Sequence, residues 1–258
     1  MKVAVVALPE AREPEAALQW LKGYLGAIGV EPSLVRANVS LEEVAAVIAE
    51  QDAVIVVGAA GNRKAVEVIG NALGLKLEVN KEALELVTGY YMDRVDIPGN
   101  VEELAITPEF SYVIPNERGP VPAFVAFSLT DDRFVAATPP GFEETIETFE
   151  AGIQDFFREK TGKKYSVTFS MDVECGVEEA ESIVSEVNSG VKGVFARLDA
   201  RFYTGKGLPL TFTAYSETPE GLSDAMERVE ELVKKLAAEK GLRLVEKEKA
   251  GGVKEEDL

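Results

Sequence analysis

Histidine is absent from all 258 residues, and cysteine occurs once, at Cys175. The first absence excludes Ser-His-Asp and Cys-His catalysis and every histidine-containing metal site. The second excludes an internal disulfide and a cysteine cluster for zinc. Chemistry is left to carboxylates, Lys, Arg, hydroxyls and backbone amides. No apolar run approaches the ~20 residues that span a bilayer. A short apolar segment follows Lys2, but Glu10 and Glu13 come soon after it and no small-residue cleavage site is visible, so it reads as a first strand. A cytoplasmic protein without a membrane partner is expected. Positive charge is scarce too: 27 Lys and Arg stand against 45 Asp and Glu, a formal charge of −18. Nucleic-acid affinity comes largely from basic contacts to phosphate, so neither DNA nor RNA is expected as a partner. The abundance of Glu and Lys beside little Gln and Cys matches thermophilic composition.

What is present is a chain able to bury a substantial core, as one large domain or two modest ones. Strands are expected at Lys2–Leu8, Ser33–Ala37 and Ala53–Val57, alternating with helices at Glu13–Ile28, Leu41–Glu50 and near Arg63–Leu73. That alternation predicts βαβ units and a mainly parallel sheet covered on both faces. Ser40 with Glu43 three residues on reads as a capping box. A further helix is expected over Asn80–Tyr91, then short strands at Leu104–Ile106, Tyr112–Ile114, Ala123–Ser128 and Arg133–Ala137. Asp131-Asp132 turns the last pair into a hairpin. Phe142–Phe157 has a helical pattern, and Lys160–Lys164 reads as a polar hinge. Beyond it the order β-α-β-β-α-β, with strands at Tyr165–Val173, Val194–Arg201, Leu210–Tyr215 and Arg243–Glu246, predicts a ferredoxin-like layer. Its helices are expected at Val177–Asn188 and Glu220–Lys240. The expected domains are therefore 1–160 and 161–247, with a disordered tail at 248–258.

Gly58-Ala59-Ala60-Gly61 follows a central strand and precedes a helix, the position where open α/β sheets bind ligands. Backbone amides and the helix N-terminus suit an anion there, and Arg63 and Lys64 would clamp the same phosphate. The same residues also make a tight strand-to-helix turn followed by two solvated cations. The segment Pro115-Asn116-Glu117-Arg118-Gly119-Pro120 offers Arg118 to a carboxylate or phosphate, or is simply a turn. Thr138-Pro139-Pro140-Gly141-Phe142-Glu143-Glu144 would bring the Gly141 backbone and Glu144 to the same sheet edge, or is merely a rigid turn with acids at a helix start. Asp172 and Glu174 share one side of a strand but lack a third cation ligand, and Cys175 has no activating partner. Trp20 and Tyr24, one turn apart, read as core.

Taken in order, four features resemble the N-terminal domain of CinA-like proteins. They are the glycine loop, A-L-G-L-K-L-E-V-N-K-E-A-L-E-L-V-T-G-Y-Y at 72–91, V-I-P-N-E-R-G at 113–119 and T-P-P-G-F-E-E at 138–144. That domain belongs to the superfamily of molybdopterin-binding domains seen in MoaB and MogA. The layer at about 165–247 is similar to the extension that follows it in CinA proteins, and the deamidase domain of full-length CinA is not expected here. The resemblance implies a three-layer α/β fold, usually oligomeric, so a homo-oligomer is expected. It also implies a phosphorylated pterin or nucleotide ligand and, in CinA-type members, metal-dependent hydrolysis of ADP-ribose-like pyrophosphates.

The family loop G-G-x-G-P-T-x-D-D is here Gly58-Ala59-Ala60-Gly61-Asn62-Arg63-Lys64, with basic residues where acids would hold a metal. Such a loop repels a dication and attracts bare phosphate. The first expectation is therefore binding of a small phosphorylated ligand at Gly58–Lys64, with Asn116, Gly141 and Glu144 nearby and weak or no catalysis. No residue is assigned a catalytic role, no metal site is assigned, and the cofactor stays open between a divalent metal and a molybdopterin-like ligand. One alternative is a metal-dependent pyrophosphatase using Glu10, Glu144 and Asp131 or Asp132. Another is a non-catalytic oligomeric module.

Overall fold

The computed structural model describes residues 1–92, 94, 97–199, 203 and 205–245. It divides into two compact units, Met1–Thr161 and Gly162–Leu258. In the first unit, strands β1 (Val3–Ala7), β2 (Leu34–Arg36) and β3 (Ala53–Val57) alternate with helices α1 (Pro14–Ile28), α2 (Leu41–Glu50) and α3 (Arg63–Leu73). A small hairpin partner β4 (Leu77–Val79) and helix α4 (Lys81–Tyr91) follow, then a 3-10 turn at Val101–Ala105 and β5 (Ile106–Pro108). Strands β6 (Tyr112–Ile114), β7 (Ala123–Phe127) and β8 (Phe134–Thr138) lead into α5 (Phe142–Thr148), a π turn (Phe149–Ile153) and α6 (Gln154–Thr161).

The sheet order is β2-β1-β3-β8-β7-β6. The first four strands are parallel, and β7 and β6 join antiparallel. This is the mixed, mainly parallel α/β sheet that the alternation predicts. Three of its four inner strands, Val-Ala-Val-Val-Ala, Ala-Val-Ile-Val-Val and Phe-Val-Ala-Ala-Thr, are buried at every position, as expected for a sheet covered on both faces. Val6, Val56 and Val135 pack with Ile48 of α2 and Ile69 of α3 on one side. On the other, Phe134 meets Phe157 of α6 edge-on at 5.2 Å, and the π-turn residue Phe149 meets Trp20 and Tyr24 of α1 at 5.6 and 5.1 Å. The pair Trp20–Tyr24 is thus core.

Three local differences from the expected elements have physical causes. The strand expected at Leu104–Ile106 begins only at Ile106, because Val101–Ala105 winds into a 3-10 turn that packs on α4. The period-2 run Leu75, Leu77, Val79 forms β4, which pairs with β5 and was missed beside the stronger helical pattern after it. The helix expected over Phe142–Phe157 is interrupted by the π turn, where Gly152 lies so close to Ile114 that an added Cβ would stand 3.1 Å from Cγ1. The Ser40 capping box forms as read: Ser40 N–H donates to Glu43 at 2.7 Å, and Glu43 N–H donates to Ser40 Oγ at 3.3 Å.

The second unit contains β9 (Tyr165–Glu174), α7 (Val177–Gly190), β10 (Val194–Leu198), β11 (Leu208–Ser216), α8 (Pro219–Glu239) and β12 (Arg243–Val245). Its antiparallel order β10-β11-β9-β12 is ferredoxin-like. Leu210 and Phe212 pack against Ile183, Val187, Val229 and Val233 of the two helices. The expected ends of β10 at Arg201 and of β12 at Glu246, and the expected tail, lie outside the described residues.

Candidate functional site

An open cleft of about 810 Å³ lies where the glycine loop leaves β3. Gly58, Ala60, Gly61 and Asn62 line it together with Arg63 and Lys64. Gly58 and Gly61 have φ of +86° and +75°, the left-handed region that glycine enters without strain. Gly61 is also a close approach: an added Cβ would stand 2.9 Å from Val121 Cγ1. Ala59 turns into the core and does not line the cleft.

The loop is tied down by its own backbone. Gly58 N–H and Ala60 N–H both donate to the Thr138 carbonyl, at 3.1 and 3.0 Å, and Asn62 N–H donates to Ala59 O at 3.1 Å. Asn62 caps α3, its side chain accepting from Ala65 N–H at 3.3 Å. In an α-helix the first N–H groups have no intrahelical acceptor. Those of Arg63 and Lys64, and that of Gly61 before them, donate to no acceptor among the described residues.

Arg12 adds a third cation to the lining, a residue missed because it sits in the Pro-containing segment after β1 with no motif around it. Its N–H donates to Pro140 O at 2.6 Å, fixing this segment beside the closing turn, Thr138–Gly141, between β8 and α5. None of Arg12, Arg63 and Lys64 has a described carboxylate within ion-pair distance. Glu10 and Glu103 are the acidic lining residues, and Tyr91, Leu104, Pro98, Pro120, Val121 and Pro140 supply apolar walls, with Asn100 between them. Tyr91, Pro98 and Leu104 gave no site signal in the sequence, because apolar residues look alike whether they pack or line a cleft.

Asn116, Gly141 and Glu144 do not line the cleft; they hold one another. The Glu144 carboxylate accepts from Gly141 N–H at 3.1 Å and from Asn116 Nδ2 at 3.0 Å. Asn116 Nδ2 also donates to Val121 O at 2.9 Å. Arg118, read as a partner for carboxylate or phosphate, takes the carboxylates: Glu147 at 3.4 Å and Glu143 at 3.7 Å.

The ligand set considered for a metal does not assemble. Glu10 lines the cleft and Glu144 is committed to the Asn116 contact, whereas Asp131 and Asp132 precede Phe134 at the opposite end of β8. A five-residue strand separates those ends by roughly 16 Å. Among the described residues there is no cluster of three or more acidic or thiol groups suited to a metal, at Asp172 and Glu174 included. The basic residues and open N–H groups at Gly61–Lys64, by contrast, are chemically suited to an anion. Burial, then the nearby Glu179, pushes the Cys175 thiol above its ordinary range, which agrees with an inert cysteine. No described helix is long and apolar enough to cross a membrane.

No family model and no curated protein matches the sequence. Solved structures similar to it include a CinA protein and MogA. CinA from Thermoplasma acidophilum, a protein of unknown function, shares 17% identity over 60% of this chain and 97% of its own, with a TM-score of 0.49. MogA shares 14% over 62% of this chain and 97% of its own, with a TM-score of 0.32. These are the names to which the glycine loop and closing turn pointed, and at such identities they transfer no residue's role.

Proposed function

We propose that the cleft binds a small phosphorylated ligand, such as a nucleotide or pterin phosphate, with the phosphate at Gly61–Lys64. The observation that carries this reading is the meeting of the open N–H groups of Gly61, Arg63 and Lys64 with three cations that have no described carboxylate partner. Donors at a helix N-terminus and the partial positive charge there favour an anion. On a chain of net charge −18, such a local positive site is where an anion is drawn in. The volume is in the range of small-molecule sites, and the apolar walls beside the loop suit the body of an organic phosphate.

The test is calorimetric titration with inorganic phosphate, ADP-ribose and a pterin phosphate. Binding is expected, weakened at least about tenfold, ~1.4 kcal/mol, in Arg63→Ala/Lys64→Ala. Absence of heat with all three probes, or unchanged affinity in the double variant, overturns the reading. Hydrolysis of a pyrophosphate relies on a metal to polarise the bond and activate water. Incubation of ADP-ribose with Mg, Mn or Co ions separates binding from turnover, and release of AMP would replace this reading with the pyrophosphatase one.

A further inference from the structure

The segment from Asn116 to Val121 is stapled to the start of α5 at two points. The first is the Glu144 carboxylate, which takes Asn116 Nδ2 and Gly141 N–H together. The second is Arg118, whose guanidinium meets Glu147 and Glu143 while its N–H donates to Asn116 Oδ1 at 3.1 Å. The fit is close, since a Cβ on Gly119 or on Gly141 would overlap the Glu144 carboxylate. Asn116 in turn holds the Val121 carbonyl, and Val121 is the residue that presses on Gly61. A continuous chain of contacts therefore runs from α5 through Asn116 and Val121 to the anion loop.

We infer that Glu144 and Asn116 are positioning residues, which set the Pro120–Val121 wall against Gly61 and so fix the width of the cleft at its phosphate end. This rests on the anion-binding reading above. Neither residue touches the ligand; each acts through Val121. Freed from Asn116, the wall would move relative to Gly61, and donors placed for one anion geometry would lose their alignment. The glycine at 119 is part of the device, because only a residue without a side chain lets the carboxylate reach Asn116.

The experiment uses the full chain with inorganic phosphate as the probe, and follows Asn116→Ala, Glu144→Ala and Gly119→Ala. The last keeps both polar side chains but displaces the carboxylate, so it breaks the staple by a different route. Circular dichroism selects the variants that fold. Each is expected to bind phosphate at least about fivefold more weakly, the low end of the coupling between a remote change and a binding site. Hydrogen exchange of the Gly119, Val121 and Ala123 amides is expected to speed up in the same variants, while those of α1 stay protected. Faster exchange with unchanged phosphate affinity would make the staple structural only and overturn the inference, as would unchanged exchange. Wild-type protein that binds no phosphate removes the anion reading and this one with it. Wild-type binding that is lost in Arg63→Ala/Lys64→Ala but kept in all three staple variants removes this one alone.

Discussion

The two ends of the six-stranded sheet carry pockets that differ in how an arginine is engaged. At the carboxyl ends, Arg63 and Lys64 flank the glycine loop with no described carboxylate within ion-pair distance. At the amino ends, a pocket of about 460 Å³ is lined by Met1, Asp52, Asp131, Asp132, Arg133 and Lys160. Arg133 is held there at 2.8 Å by Asp131 and donates to Ile48 O at 3.2 Å. That side-chain hydrogen bond from Arg133 lowers the Asp131 carboxyl to about 2. A cation already neutralised adds little to the attraction for an incoming anion. Pairing, then, distinguishes Arg133 from Arg63; the mere presence of a basic residue does not.

The contrast can be broken most severely at Gly61. Gly61→Ala places a Cβ in a left-handed backbone and against Val121, so a loss of about 2–3 kcal/mol is expected in urea unfolding, together with weaker phosphate binding. The smaller Arg63→Ala/Lys64→Ala change should leave unfolding nearly unaffected while phosphate affinity drops at least about tenfold. Equal losses in both measurements would mean that the cations serve the fold instead. Removal of the cap in Asn62→Ala should cost about 1 kcal/mol through the first turn of α3, read by urea unfolding.

At the other end, Asp131→Asn should leave phosphate affinity at its wild-type value. Its effect lies in acid. Because the folded pKa is below the ordinary carboxylate value, the Asp131–Arg133 contribution is present above the unfolded pKa and is lost as pH falls towards about 2. The variant should therefore lack the part of the acid-limb slope between roughly pH 4 and pH 2 seen in wild type. Since both side chains face solvent, the difference should be small and should shrink further in high salt.

How far each feature could be read from sequence depends on how local its cause is. The inner strands declare themselves as unbroken β-branched and small apolar runs, and Ser40 with Glu43 declares a cap within four residues. The loop at Gly58–Lys64 is legible for the same reason, because left-handed glycines and a capping Asn62 act on their own neighbours. Glu144 looked like a ligand because its motif lies at the correct sheet edge. Its engagement with Asn116 depends on a contact across the fold that spacing along the chain does not encode. Arg12 and Tyr91 joined the cleft by the same kind of long-range placement. The π turn was hidden because an extra residue in one helical turn leaves the apolar period almost intact.

One carbonyl has a kinetic consequence. Thr138 O receives two N–H groups, from Gly58 and Ala60, so the glycine loop is fastened to the end of β8 before any ligand arrives. A loop already in its final shape has little ordering entropy left to lose on binding. Phosphate should therefore associate without a slow conformational step, at a rate set by diffusion and by the local charge, and the Asn116 and Glu144 variants, which leave the cations in place, should weaken it by shortening its residence time.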